Sequence, residues 1–257
     1  MKNKVWKWFL LSAAGAVLIV VGVSGYAVTH YLYTSPRFDV RRVLVFGLNR
    51  VKEDDVTSRA ALPDSVNAFA VDLAEVRERV EGLRWVRYAT VQRVLPDTIS
   101  IKVVERTPVG LATIRGDVFQ FDEEAHLLDR DRDSGAAFPI LNGLKKDDIE
   151  GNHKKVALYL RIMEELNGRN ELSEVLINDT FEVSVISVNE PILVTLGKEK
   201  FRERWGHFLM LRSKIQTEFP NTVQVDFRFR NQAILRSQVD GADQEQKVLW
   251  DVERKSL

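Results

Sequence analysis

Val91-Gln92-Arg93-Val94-Leu95-Pro96-Asp97-Thr98-Ile99-Ser100-Ile101 runs on through Lys102, Val103 and Val104 to Glu105-Arg106-Thr107-Pro108. Within it Ile99, Ile101 and Val103 alternate with Ser100, Lys102 and Val104, the period of two expected of a strand with one face in a core. Two runs, Trp85 to Leu95 and Thr98 to Glu105, flank Pro96-Asp97, where proline presets φ for a turn, so the pair reads as a hairpin. Upstream, Asp72 with Glu75 three residues on marks a helix start, Leu73, Val76 and Val80 recur at helical spacing, and Gly82 closes the helix. Before that, Lys52 to Leu62 reads as a shorter helix with Val56, Ala60 and Ala61 on one side, ended by Pro63-Asp64. Val40 to Phe46 reads as a strand stopping at Gly47-Leu48-Asn49. The order is strand, helix, helix, strand, strand in about 70 residues, an α+β module with a three-stranded sheet and two helices on one face.

Further toward the N-terminus the pattern changes. From Trp8 to Pro36 there is no Asp, Glu, Lys or Arg, and Trp8 to Val28 is rich in Leu, Val, Ala, Ile and Gly. At about 1.5 Å per residue that run spans roughly 30 Å, the thickness of a bilayer's hydrocarbon. It predicts one transmembrane helix over residues 8–32 behind a short tail, 1–7. Trp6 and Trp8 at one end and Tyr26, Tyr31 and Tyr33 at the other suit the lipid–water interface. Lys2, Lys4 and Lys7 lie closer to the apolar run than Arg37, Arg41 and Arg42 do, which favours a cytoplasmic N-terminus with the rest exported. A cleaved secretory signal is the competing reading, with Gly25 and Ala27 as the small residues before a cut, but the apolar run exceeds the usual length of about 7 to 15 residues.

The chain has no cysteine, which excludes disulfide scaffolds, zinc ribbons, iron–sulfur sites and thiol nucleophiles. Setting the three N-terminal lysines aside leaves 34 basic and 37 acidic side chains, so nucleic acid is not an expected partner. After Pro108 a second domain, 109–237, reads as short strands at 109–114, 118–121 and 126–128, then a loop through Phe138-Pro139-Ile140-Leu141-Asn142-Gly143. A helix over 152–167 carries Val156, Tyr159, Leu160 and Met163 on one face. Paired strands follow at 181–188 and 191–196. A second helix, 198–219, has a core stripe of Phe201, Trp205, Phe208, Leu211 and Ile215, and a last hairpin joins 223–229 to 232–237. This is a mixed α/β domain with a C-terminal edge strand, and the polar residues 238–257 read as a disordered tail.

The module at 38–108 resembles a POTRA domain, and its wording resembles the bacterial cell-division family FtsQ, called DivIB in Gram-positive bacteria. The resemblance rests on Phe38-Asp39-Val40-Arg41-Arg42-Val43, Asn67-Ala68-Phe69-Ala70-Val71-Asp72-Leu73, Leu83-Arg84-Trp85-Val86 and, above all, the 91–110 string. Trp85, Arg93, Pro96, Glu105 and Pro108 mark the POTRA motif. The resemblance implies a non-enzymatic divisome scaffold in the inner membrane, its bulk periplasmic and enriched at the septum. It implies FtsB-like and FtsL-like partners for the second domain and recruitment contacts for the POTRA domain. It further implies that an FtsB-like partner adds to the last strand through Phe229, Asn231, Ala233, Leu235 and Arg236, while Phe227 is core. The cytoplasmic tail is short for the family, and Asn231-Gln232 stands where relatives often have a glycine.

Two other readings compete: a membrane-anchored periplasmic enzyme, and another kind of POTRA-containing assembly factor. For the first, His30, His126, His153 and His207 fall in separate elements, and no Gly-x-Ser-x-Gly, His-Glu-x-x-His or phosphate-cradling loop occurs. For the second, the chain is short and helical for one carrying a membrane β-barrel. Asp129, Asp131 and Asp133 have the alternate spacing of a calcium loop without its glycine and distal glutamate. No catalytic, metal or cofactor residue is assigned.

Overall fold

The structure, a computed structural model, describes residues 2–130, 138–239 and 242–249. The chain divides into two compact units, Met1–Arg106 and Thr107–Leu257.

The first unit begins with α1, Lys2–Thr34, of which Ala14–Thr34 contains a stretch of mean hydropathy 1.6 with no residue fully buried in the rest of the chain. This helix is long and apolar enough to cross a membrane. A 3₁₀ turn at Pro36–Phe38 leads to β1 (Arg42–Phe46), α2 (Glu53–Ala60), α3 (Leu73–Glu81), β2 (Val86–Val94) and β3 (Thr98–Glu105). The sheet order is β1-β3-β2. The hairpin pairs β2 antiparallel to β3, and β1 lies parallel on the other side of β3, with Val43 opposite Ile99 and Val45 opposite Ile101. The predicted inward face is therefore one contiguous layer. Ile99, Ile101 and Val103 pack with Val86 and Ala89 of β2 and with Val56, Ala60, Val76 and Val80 of the helices. Asp72 caps α3 as its spacing predicts, accepting from the amides of Ala74 and Glu75.

Two of the side chains singled out in the sequence hold this unit's loops in place. Glu105, at the end of β3, reaches back to the turn after β1 and accepts from the backbone N–H groups of Asn49 (2.8 Å), Arg50 (2.9 Å) and Val51 (2.9 Å). Burial pushes its carboxyl pKa up, but those three amides outweigh this and leave it below the ordinary value. In the same turn Gly47 has φ +84°, and a Cβ there would sit 2.1 Å from the Val103 carbonyl oxygen, so only glycine fits. Arg93 donates from Nε to Ala68 O and from Nη2 to Val71 O, holding the approach to α3. Pro96 lies in the β2–β3 turn. Trp85 departs from expectation: it is only half-buried, with the Arg50 guanidinium 4.7 Å from its ring centroid. Its carbonyl accepts from Arg106 N (2.8 Å) at the open end of the hairpin, and its ring is not among the buried side chains of the core. Pro108 is half-buried just beyond this unit.

The second unit is a ten-stranded mixed sheet with core helices α4 (Ile149–Glu165) and α6 (Phe201–Glu218) and a single turn, α5 (Gly168–Glu171). Its strands are β4 (Gly110–Ile114), β5 (Asp117–Phe121), β6 (Leu127–Arg130), β7 (Ile140–Asn142), β8 (Leu172–Ile177), β9 (Val183–Ser187), β10 (Leu193–Gly197), β11 (Thr222–Asp226), β12 (Gln232–Val239) and β13 (Ala242–Leu249). They lie in the order β13-β12-β11-β10-β9-β8-β7-β4-β5-β6. Val175, Val185, Val194 and Val225 from four neighbouring strands join Tyr159, Phe201, Trp205 and Phe208 in one core. Among them Lys155 is buried, its Nζ 2.6 Å from the Gly143 carbonyl and 3.1 Å from Asp179 Oδ1.

Three expectations change here. The loop through Phe138 and Gly143 contains a strand, β7, which seats parallel between β4 and β8. Gly143 permits this, since at φ +117° its position faces the Ile177 carbonyl too closely for any Cβ. β8 itself has no place in the sequence reading, because Ser173-Glu174 breaks its apolar run. The third change concerns the region expected to be a disordered tail from 238 onward. Over Ala242–Leu249 it is β13, paired antiparallel to the whole of β12. The strand at the sheet's edge is therefore β13, and β12 has a neighbour on each side. Asp131 and Asp133 of the calcium-like spacing, and 250–257 of the expected tail, lie outside the described residues.

Candidate partner-docking site

The C-terminal end of the sheet is built on alternation. In β12, Ala233 and Leu235 are fully buried on the core face, while Arg236 is exposed on the other. On that outer face a polar chain runs across five strands. Ser184 on β9 and Gln224 on β11 both donate to Thr195 Oγ1 on β10 (3.3 and 3.1 Å). Arg236 then donates from Nη1 to Gln224 Oε1 (3.2 Å) and from Nη2 to Glu245 Oε1 on β13 (2.8 Å). Cross-strand pairs of this kind each contribute a few tenths to about 1 kcal/mol, so the added strand rests on its backbone ladder. Val248, opposite Ala233, supplies an apolar contact from β13 as well.

The connection between β11 and β12 shapes a groove of about 380 Å³ against the N-terminal end of α6, lined by Glu203, Arg204, His207, Phe229, Arg230 and Asn231 among others. Phe227 is anchored: it is 1% exposed, its N–H donates to Thr195 O, and its ring meets Phe208 edge-on at 6.4 Å. Phe229, two residues on, is 41% exposed and forms part of the groove wall. Asn231 turns the chain at φ +55°, a left-handed conformation that asparagine tolerates and β-branched residues do not. Arg228 is fixed by both oxygens of Asp226 and by Glu182 Oε1, and the bond to Asp226 holds its guanidinium firmly charged.

One group of acidic and imidazole side chains comes close enough to approach an ion: Asp122, Glu124 and His126, after β5. Asp122 is buried there because its Oδ1 accepts from the N–H groups of Glu124 and His126, which shapes the turn.

Comparison with known proteins bears on the whole arrangement. The family model described as POTRA domain, FtsQ-type, matches residues 38–106. The cell division protein FtsQ of Koribacter versatilis is 29% identical over 232 residues, covering 85% of this chain and 67% of the relative. That of Syntrophotalea carbinolica is 24% identical over 246 residues, covering 92% and 86%. The chain carries an FtsQ-type POTRA domain and is similar over most of its length to FtsQ cell-division proteins. A solved extracytoplasmic domain of DivIB from Geobacillus stearothermophilus aligns with 44% of this chain and 95% of its own at 18% identity, with a TM-score of 0.28, too low to carry an argument.

The five residues assigned to partner contact do not form one surface. Phe229 and Asn231 share the groove. Ala233 and Leu235 are core side chains, so their assignment to partner contact is corrected: on an alternating strand they face the sheet's helices, not the solvent. Arg236 is exposed but already bonds within the chain to β11 and β13. The signal for β13 was present in the sequence: Asp240-Gly241, the dipeptide between the two strands, favours a two-residue hairpin connection.

Proposed function

We propose that this cell-division protein is a non-enzymatic scaffold of the division machinery. In this reading the POTRA domain (38–108) serves recruitment, and the second domain, from 109, captures FtsB-like and FtsL-like partners outside the cytoplasm. The membrane helix holds both at the inner membrane, enriched at the septum, with the N-terminus cytoplasmic. Lys2, Lys4 and Lys7 support that orientation, and a reporter fused after Leu257 is expected to be active only outside the cytoplasm.

The observation that supports docking is the sheet's open end. β13 has a strand on one side only among the described residues, so a row of backbone N–H and C=O groups along it is available to an extended segment of a partner. Phe229 in the adjoining groove offers an exposed aromatic anchor.

The test is co-purification of the full chain from solubilised membranes, with mass spectrometry of bound proteins. Gln246→Pro and Lys247→Pro are compared, since successive residues direct their N–H groups to opposite sides of a strand. One of the two blocks the open side and is expected to abolish capture of the FtsB-like partner while the β12–β13 ladder survives. Phe229→Asp is expected to weaken capture. Full capture by all three variants would place docking elsewhere.

A further inference from the structure

The end of α1 is tied to the POTRA unit by side chains that neither packing of the sheet nor partner capture requires. The last carbonyls of a helix have no intrahelical donor, and at the edge of a bilayer each needs a partner. Here Asn67 supplies one: its Nδ2 donates to Leu32 O (3.0 Å) and Ser35 O (3.4 Å), while its Oδ1 accepts from Phe69 N (2.9 Å). The loop around it is laced to the chain leaving the helix, through Ala68 N to Phe38 O (2.7 Å) and Val40 N to Val66 O (2.8 Å). Four rings complete the junction. Tyr31 meets Phe38 edge-on at 6.1 Å, Phe38 meets Phe69 at 5.2 Å, and Tyr33 lies 6.1 Å from Phe69.

These distances fix a level. The apolar run Trp8–Val28 is 21 residues, about 31 Å of helix, so a span centred in the hydrocarbon brings Tyr31 and Tyr33, three and five residues beyond it, into the interfacial layer at its outer boundary. Phe69, one ring away from Tyr33, is then at the same level. Aromatic rings are favoured at this boundary, and Tyr33 stays 56% exposed on the helix. Arg37 is three residues past the helix end, within about 11 Å of contour, which is the headgroup layer. Arg41 follows, also exposed. Arg42 pairs with Asp97, and Arg93 bonds the carbonyls of Ala68 and Val71 beside Phe69. Arg42 and Arg93 are thus engaged within the unit, and Arg37 and Arg41 are the exposed cations of the segment leaving the helix, with Asp39, Asp64 and Asp72 as the acidic side chains nearest in sequence to the two segments.

We propose that the 67–70 loop, with Phe38 and the strand-leading arginines, is a membrane-surface seat for anionic phospholipid. Phe69 inserts at the acyl boundary, Arg37 and Arg41 engage lipid phosphates, and Asn67 locks the domain's tilt to the helix. The POTRA unit is thus held against the bilayer instead of hanging from a flexible stalk. The inference rests on α1 crossing the membrane and is independent of the docking reading for the second domain.

Because the chain has no cysteine, a single introduced one takes a spin label cleanly. Full chain carrying Ala70→Cys is labelled and reconstituted in vesicles of phosphatidylcholine, alone or mixed with phosphatidylglycerol. Depth is read from the label's accessibility to oxygen against a water-soluble nickel chelate, with Val20→Cys as the hydrocarbon reference and free label as the water reference. The label at 70 is expected at headgroup depth, deeper with phosphatidylglycerol. Arg37→Glu with Arg41→Glu is expected to raise chelate accessibility several-fold in the anionic vesicles and to leave it unchanged in phosphatidylcholine. Asn67→Ala is expected to broaden the depth distribution in both. A label at 70 that matches free label in every lipid, or a charge reversal without effect in anionic vesicles, would overturn the seat. A water-like reading at Val20→Cys would instead refute the membrane span itself.

Discussion

Replacing Glu105 tests whether a strand-end carboxylate holds the POTRA turn. In Glu105→Ala the N–H groups of Asn49, Arg50 and Val51 lose their shared acceptor. Hydrogen bonds to an ionised group contribute about 1.5 to 3 kcal/mol each when their donors cannot reach water. Asn49 and Arg50 are exposed and rehydrate, while Val51 is half-buried and does not do so fully, so the three do not add. A net cost of about 2 kcal/mol follows, or roughly 30-fold faster exchange of the turn amides. Hydrogen exchange of residues 47–52 in the full chain measures it directly.

The acid dependence has a definite sign. The folded carboxyl titrates below its unfolded value, so its contribution is fully present above about pH 4.3 and is lost as pH falls through the depressed folded pKa. Glu105→Gln keeps the shape and one acceptor oxygen but removes the charge. It is expected to cost less than alanine and to abolish the acid-dependent loss of protection in this turn. Unchanged protection in Glu105→Ala at neutral pH would refute the reasoning.

Three further outcomes follow from the packing. Trp85→Ala is expected to cost about 1 to 2 kcal/mol, below the 3 to 5 kcal/mol of a fully buried ring, because the ring is only partly buried and its contact with Arg50 is a surface cation–π pair; chemical denaturation of the full chain in detergent reads this. Gly47→Ala is expected to disrupt the same turn more severely than any Glu105 variant, since the backbone of Val103 faces the new methyl at 2.1 Å, and exchange at 47–52 again reports it. Tyr159→Phe removes the 2.8 Å bond to the Pro139 carbonyl deep in the second unit and is expected to destabilise that unit by about 1 to 2 kcal/mol without moving the thermal transition of the first.

The POTRA unit was legible because its signals are local. Alternation at Ile99, Ile101 and Val103, the Asp72 cap and the Pro96 turn each act within a few residues, and together they leave one arrangement for five elements. The roles of Glu105 and Asn67 were not legible. Each acts across more than thirty residues of chain, on backbone groups whose positions depend on the finished fold. β7 and β8 failed for a related reason: a three-residue strand, and an apolar run broken by Ser173-Glu174, have too little period to register alone. They exist because neighbouring strands on both sides supply the ladder.

The C-terminal strand inverts that logic and shows why composition misled. Glu245, Gln246 and Lys247 are all exposed, so β13 cannot be read from a buried face, and polar composition alone argues for disorder. What makes it a strand is a template. β12 is anchored through Ala233 and Leu235 in the core, and its outward row of backbone groups can be satisfied by any extended segment that reaches it. Only two residues of sequence separate β12 from β13, so the loop-closure cost of adding 242–249 is small. Among its described side chains β13 is held by its ladder, by an apolar contact at Val248 and by an ion pair at Glu245, while β12 beside it is anchored in the core through Ala233 and Leu235. On the proposed docking function, that asymmetry would set the more loosely anchored end of the sheet near the Phe229 groove, so that backbone pairing and an aromatic anchor could serve the same extended partner segment.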